Sequence, residues 1–166
     1  MAGERCVYIA SPLRFADSSR EYLGTVMAAL RGHGFDCLDP WDDADGSIEA
    51  GLAQAEAIVD RAARVAALAA ADEAIGRRNA AMIERARGVF AVLDGVDVDS
   101  GTASEIGFAA ACGLPIVGLR TDWRRTGDNE GCVVNLQVEY FIRSTGGAVF
   151  RQLDAAAARL AVLVAS

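Results

Sequence analysis

A single α/β domain on a parallel sheet covered on both faces is the fold class this chain predicts, and three observations predict it. Short strand-like runs alternate with helical patterns along the whole length. Several of those runs, Gly88 to Leu93 above all, are apolar without interruption, as strands buried on both faces are. The 166 residues, 52% of them hydrophobic, suffice for one well-buried domain over residues 1–166 and not for two.

Each element has its own signal. Arg5 to Ala10, rich in Val, Tyr and Ile, reads as a first strand ended by Ser11-Pro12. Asp17 to Arg31 carries Tyr22, Val26, Met27 and Leu30 at helical spacing and stops at Gly32 and Gly34. Phe35 to Leu38 is a second strand halted by Pro40, and Asp42 to Gly46 is acidic and irregular. Ile48 to Ala71 is alanine-rich and helical with few internal stops, and Asp72 to Arg87 reads as another helix with Ile75, Met82 and Ile83 on its apolar side. Val89 to Leu93 is a buried strand, Thr102 to Cys112 a helix closed by Gly113, and Pro115 to Leu119 a strand. A polar loop over Thr121 to Gly131, a mixed stretch over Val133 to Ile142, a short strand at Ala148 to Phe150 and an amphipathic helix from Leu153 to Val164 complete the chain. Five strands so arranged suggest a flavodoxin-like three-layer sandwich with a five-stranded parallel sheet, whose strand order the pattern does not reveal.

Composition excludes several functions. A net charge of -7, with no cluster of basic residues, argues against a nucleic-acid polymer or an anionic membrane as partner. All basic side chains are arginines, so Schiff-base lysine chemistry is ruled out. Four cysteines (Cys6, Cys37, Cys112, Cys132) lack CxxC spacing and read as free thiols of a reducing compartment. The one histidine, His33, lies between two glycines at a helix end, which leaves no metal site or Ser-His-Asp triad to build. With no signal-peptide pattern and no apolar run of about 18–20 residues, the expected setting is cytoplasmic.

The chemistry concentrates in Leu93-Asp94-Gly95-Val96-Asp97-Val98-Asp99-Ser100-Gly101-Thr102-Ala103-Ser104-Glu105-Ile106-Gly107, at the carboxyl end of the central strand. That is where open α/β sheets bind ligands. Glu105 has two readings. In Thr102-Ala103-Ser104-Glu105 it fits a capping box, tied to the first amides of its own helix; alternatively it is a nucleophilic or basic carboxylate facing a ligand. Asp99, with Ser100 and Gly101, is placed to accept from ligand hydroxyls where a glycine admits close approach, whereas Asp94 and Asp97 also suit plain turns. Tyr8, in a strand buried on both faces, needs a partner for its hydroxyl, and Glu105 is one across the strand ends. Ser11 and Pro12 end that strand or line the cleft. Trp41, beside Pro40, stacks on a planar base or packs an edge. Asn135 and Gln137 are amides among apolar residues that need partners from backbone, ligand or a second subunit.

Taken in order, Tyr8-Ile9-Ala10-Ser11-Pro12-Leu13, Asn79 with Met82-Ile83, the run from Leu93-Asp94-Gly95 through Asp99-Ser100-Gly101-Thr102 to Glu105-Ile106-Gly107, and Asn135-Leu136-Gln137 resemble the nucleoside 2-deoxyribosyltransferases. The resemblance covers nearly the whole chain, and its DSGTxxEIGxA centre is the most specific part. It implies a homo-oligomer that moves 2-deoxyribose between a deoxynucleoside and a free nucleobase, without metal or organic cofactor. Glu105 would attack the anomeric carbon and Tyr8 would orient it. Asp99 and Asn135 would hold the sugar's 5′-hydroxyl, Asn135 reaching across a subunit interface. Asp94, Ser100, Gly101, Ser11, Pro12, Trp41 and Gln137 would surround the substrate. Two departures bear on the base. Asn79 stands where many members carry an aspartate taken to protonate the leaving base, which an amide cannot do; Asp42 or Asp43 are candidates for that acid. Gln137 stands where some relatives carry methionine.

Two other functions fit the same residues. Water in place of the second base gives an N-glycosidase acting on nucleosides or 5′-monophosphates; Asp99 opposes a phosphate and Arg14 is the one nearby cation in its favour. A non-catalytic nucleotide-binding module on this fold is the third.

Overall fold

The computed structural model describes residues 5–43 and 45–165. Five parallel strands, β1 (Cys6–Ala10), β2 (Asp36–Leu38), β3 (Gly88–Val92), β4 (Ile116–Leu119) and β5 (Val149–Phe150), form one sheet in the order β2-β1-β3-β4-β5. That is the flavodoxin-like order, which changes direction between β1 and β3. Tyr8 is in register with Leu38 on one side and Val89 on the other.

Alternation along the strands divides the core in two. Val7 and Ile9 of β1 and Phe90 and Val92 of β3 pack with Leu23, Val26 and Leu30 of α1 (Asp17–Gly32) and Leu160 of α6 (Leu153–Ala165). Tyr8, Ala10, Val89 and Ala91 face the other layer. There they meet Met82 and Ile83 of α3 (Arg61–Arg85), Ile106 and Ala109 of α4 (Ser100–Ala111), and Val138 and Ile142 of α5 (Leu136–Ser144). The period of two thus places the Tyr8 phenol on the same side of the sheet as α4. Gly118 in β4 is what lets Leu93 and Ile142 close over that strand, since a Cβ there would stand 2.7 Å from Leu93 Cδ1.

Three element boundaries differ from the sequence reading. The alanine-rich stretch breaks after α2 (Ser47–Glu56) and not at Asp72, because Asp60 caps α3 by accepting from the Ala63 amide at 2.8 Å. Asp72 is an exposed residue within α3, and nothing in the run itself but one capping aspartate marks the true break. The helix expected from Thr102 begins at Ser100 under an Asp99 cap. The mixed stretch resolves into α5, capped by Asn135, whose Oδ1 accepts from the Gln137 and Val138 amides at 3.0 and 3.4 Å.

At 25 residues α3 is about 37 Å long, well beyond the sheet edge. Its C-terminal half buries Met82 and Ile83 in the core beside Tyr8 of β1 and carries Ile75 and Asn79, while α3 also pairs with α2. None of the described helices is long and apolar enough to cross a membrane.

Candidate active site

A cavity of about 700 Å³ opens at the β1/β3 switch point. Each wall has a separate origin. Ser11 follows β1; Asp99, Gly101, Thr102 and Glu105 come from the start of α4; Asn79 and Ile75 come from α3; Ile48 and Leu52 come from α2; and Phe15, Pro40 and Trp41 come from the loops after β1 and β2.

Glu105 occupies the floor, half-buried one turn into α4. The Tyr8 hydroxyl, fully buried beneath it, donates to Glu105 Oε1 at 2.5 Å. The capping-box reading fails here. The first amides of α4 are served by Asp99, whose Oδ2 accepts from the Thr102 amide at 3.0 Å and the Thr102 hydroxyl at 3.3 Å. The glutamate is therefore free of its own helix. Gly101 keeps that cap in place, because a Cβ there would press within 3.1 Å of Asp99 Oδ2.

Burial, and secondarily the negative charge of Asp99, push the Glu105 carboxyl up to about 7, while the Tyr8 hydrogen bond pulls the other way. Burial first, then Glu105 itself, push the Tyr8 phenol far above its usual range, so it remains a protonated donor. The pair is a carboxylate that titrates near neutrality, oriented through one oxygen by a fixed phenol.

The aromatic wall is built around Asp39, a buried carboxylate that the sequence did not single out. One of its oxygens accepts from the Trp41 amide at 3.0 Å and the other from Arg14 at 2.7 Å. Arg78 of α3 donates to the carbonyls of Pro40, at 3.1 Å, and Asp42, fastening the same loop from the other side. Trp41 and Phe15 then meet edge to face, ring centres 4.9 Å apart and planes at 85°. Arg14, the cation considered for a phosphate, is ion-paired with Asp39 through one terminal nitrogen, its buried Nε has no partner among the described residues, and it does not line the cavity. Arg20 lines the cavity but is exposed and ion-paired with Asp17 at 3.1 Å.

The proposed site residues sort clearly. Ser11, Trp41, Asn79, Asp99, Gly101 and Glu105 share the cavity, with Tyr8 under it. Pro12 caps the short 3-10 turn Leu13–Phe15 and does not line it. Ser100 starts α4, its carbonyl accepting from the Ser104 hydroxyl at 2.8 Å. Asp94 is occupied elsewhere: its carboxylate accepts from the Thr121 amide and hydroxyl at 2.6 and 2.8 Å and the Asp122 amide at 2.7 Å, joining the loops after β3 and β4. Asp42 lines a second, smaller cavity of about 400 Å³ behind the Trp41 loop. Asp43 lies in the main cavity, yet its two oxygens accept from the Ile48 and Glu49 amides, at 3.2 and 2.9 Å, at the start of α2. Asn135 and Gln137 are exposed on α5, outside the cavity of their own chain.

Phe15, Ile48, Leu52, Ile75 and Thr102 were not foreseen. Their apolar or capping character looks like core or helix surface until the α2/α3 pair is placed over the strand ends. The wholly buried Arg120 was missed as well. Its guanidinium donates to the carbonyls of Leu93, of Gly95 at 3.1 Å and of Arg124 at 3.0 Å, and so anchors the base of the loop that delivers Asp99. An arginine directly after the apolar Ile116–Leu119 run was its only signal.

Comparison with known proteins bears on the family and the fold. A family model described as nucleoside 2-deoxyribosyltransferase matches residues 7–137. Among solved structures, a conserved protein from Enterococcus faecalis V583 is 23% identical with a TM-score of 0.67, over 94% of this chain and 96% of that one. A 2-deoxyribosyltransferase from Bacillus psychrosaccharolyticus is 19% identical with a TM-score of 0.55, over 90% and 88%. A CMP N-glycosidase from Clostridium botulinum is 13% identical with a TM-score of 0.50, over 95% and 99%. At these identities the structures bear on the fold. No curated protein sequence gives a significant match.

Proposed function

The chain belongs to the nucleoside 2-deoxyribosyltransferase family, and on that premise we propose that it moves 2-deoxyribose between nucleobases through a covalent deoxyribosyl-glutamate on Glu105. The observation that carries this reading is the Glu105 side chain, turned from its own helix amides to the Tyr8 phenol and lining a cavity large enough for a nucleoside.

In the first step a Glu105 oxygen forms a bond to C1′ as the C1′–N bond breaks. The departing base keeps the electron pair and takes up a proton from solvent. In the second, a ring nitrogen of the incoming base bonds to C1′, the carboxylate leaves, and the base nitrogen gives up its proton. Two inversions give net retention. A carboxylate suits this role because it stabilises the oxocarbenium-like charge before bonding. Tyr8 holds one oxygen, leaving the second without a protein partner among the described residues. Asp99, whose Oδ2 serves the α4 cap, keeps Oδ1 for the sugar hydroxyl.

A free 5′-hydroxyl fits better than a 5′-phosphate. At about 4 Å, Asp99 and a phosphate charge would repel by roughly 4 kcal/mol at an effective dielectric of 20. The first cation after the first strand, Arg14, is already paired with Asp39. Asn135 we place at the active site of a neighbouring subunit in a homo-oligomer. This is supported by its exposure on α5 and by the exposed Leu136 and Tyr140 beside it, which are 51% and 61% accessible.

The test is self-exchange: each deoxynucleoside is incubated with its own isotopically labelled base. Label entering the nucleoside is the expected result. Free deoxyribose without label entry would replace transfer by hydrolysis, and binding without turnover would leave only a binding module.

A further inference from the structure

Resting on that reading, the environment of Asn79 identifies the class of base. Asn79 lies in α3 on the cavity wall, and its Oδ1 is buried with no hydrogen-bond partner. A buried amide oxygen of this kind calls for a donor, and no described residue supplies one. Much of the remaining cavity wall is apolar. Trp41 and Phe15 supply aromatic surface, and Ile48, Leu52 and Ile75 supply apolar surface, none of which reads polar groups on a base edge. Of the other acids on the wall, Asp43 is engaged at both oxygens by the start of α2, Asp99 holds the start of α4, and Glu49 is exposed on α2. Among the cavity-lining side chains, Asn79 is the one with a buried polar atom that no described residue satisfies.

An amide offers an N–H donor and a carbonyl acceptor side by side. To help a base depart, the donor must go to a ring nitrogen lone pair of that base, since withdrawing electron density there stabilises the leaving anion. The acceptor then falls on the neighbouring exocyclic group, which must be a donor. Adenine, with N7 beside its 6-amino group, meets both conditions, and cytosine does so with N3 beside its 4-amino group. Hypoxanthine puts a carbonyl beside N7 and would set oxygen against Oδ1. Uracil and thymine carry N3–H, so the amide would have to accept where departure calls for donation.

We propose that Asn79 makes this protein selective for amino-bearing nucleobases, 6-aminopurines and 4-aminopyrimidines, by pairing its amide with the ring nitrogen and exocyclic amino group.

The experiment compares kcat/KM for deoxyadenosine against deoxyinosine and for deoxycytidine against deoxyuridine, with each donor's own labelled base as acceptor. Base release is followed in parallel, so that the ratio is read whether the sugar passes to base or to water. Wild type should favour the amino member of each pair by about tenfold to a hundredfold, the discrimination of one bidentate amide contact. Asn79→Ala, favourable to the helix and so expected to fold, should bring both ratios close to one by slowing the amino substrates. Asn79→Asp should narrow the ratios by speeding the oxo substrates and should add an acid requirement to their pH profile. Equal rates, or a preference for oxo bases in wild type, would overturn the assignment while leaving sugar transfer intact. Preserved ratios in Asn79→Ala would overturn it too. Absence of both exchange and release for every base would remove the enzymatic reading and this inference with it.

Discussion

The Tyr8 hydroxyl and the Glu105 carboxylate, 97 residues apart in sequence, meet at 2.5 Å beneath the cavity. The contact exists because β1 alternates its side chains between two layers, and because α4 starts early enough to bring its sixth residue over the strand end. It leaves the carboxylate half-buried and oriented, with its pKa pushed up to about 7 by burial.

The pH dependence follows from that burial. Attack on C1′ requires the ionised carboxylate, so kcat/KM should rise with pH through about 7, the value to which burial pushes Glu105. Tyr8→Phe removes the hydrogen bond that opposes the shift, so its rise should move to higher pH. Its plateau should fall about 10- to 100-fold, the worth of a hydrogen bond to a charged group. A pH profile measured for both proteins checks the direction as well as the size.

Glu105→Gln should reduce transfer by at least about 10³-fold, as loss of a nucleophile does, while making the protein more stable in alkali. The sign follows from linkage. In the folded protein the carboxyl holds its proton up to about 7, and in the unfolded chain only to about 4.5. Between those values the folded state binds more protons, so raising the pH through the window costs wild type stability that the glutamine does not lose. At pH 8 the variant should be more stable by on the order of 2 kcal/mol, each pKa unit being worth about 1.4 kcal/mol with a discount for the open side of the cavity. At pH 4 the two should melt together. Thermal melts at both pH values read this difference.

Asp99 has two duties that substitution can separate. Asparagine caps a helix as well as aspartate does, whereas alanine costs about 1 kcal/mol. Asp99→Asn should therefore keep wild-type melting while kcat/KM for the deoxynucleoside falls, and Asp99→Ala should lose both. Equal activity in Asp99→Asn and wild type would confine Asp99 to its capping role.

Asn135 offers a test by complementation. If it serves a neighbouring active site, Glu105→Ala and Asn135→Ala are each inactive alone but mixed oligomers contain intact sites. Co-refolding the two variants should restore part of the activity. No recovery, with mixed oligomers demonstrated by native mass spectrometry, would return Asn135 to its own helix cap.

Much of the site was legible because its chemistry is local in sequence. Asp99, Gly101 and Glu105 lie on one strand-loop-helix passage, and the placement of that passage at a strand end follows from the apolar run before it. The Tyr8 partnership was legible for a different reason, since a hydroxyl in a doubly buried strand must find an acceptor. What remained hidden depends on tertiary arrangement. Asp94 reads either as a turn acid or as a site residue, and only the approach of Thr121 after β4 assigns it to the scaffold. The bend at Asp60 determines which residues of the alanine-rich stretch reach the cavity, and no glycine or proline announces it. Likewise Arg14 reads as a free cation until Asp39 is brought 2.7 Å from it.

The most direct measurement is the mass of the protein itself. A deoxynucleoside donor is mixed with enzyme, quenched in acid before the acceptor is added, and the protein is digested and sequenced by tandem mass spectrometry. The account predicts one deoxyribosyl adduct, on the peptide containing Glu105 and on that residue, which disappears when acceptor base is supplied before the quench. Turnover with no adduct at any time, or an adduct on another side chain, would contradict it.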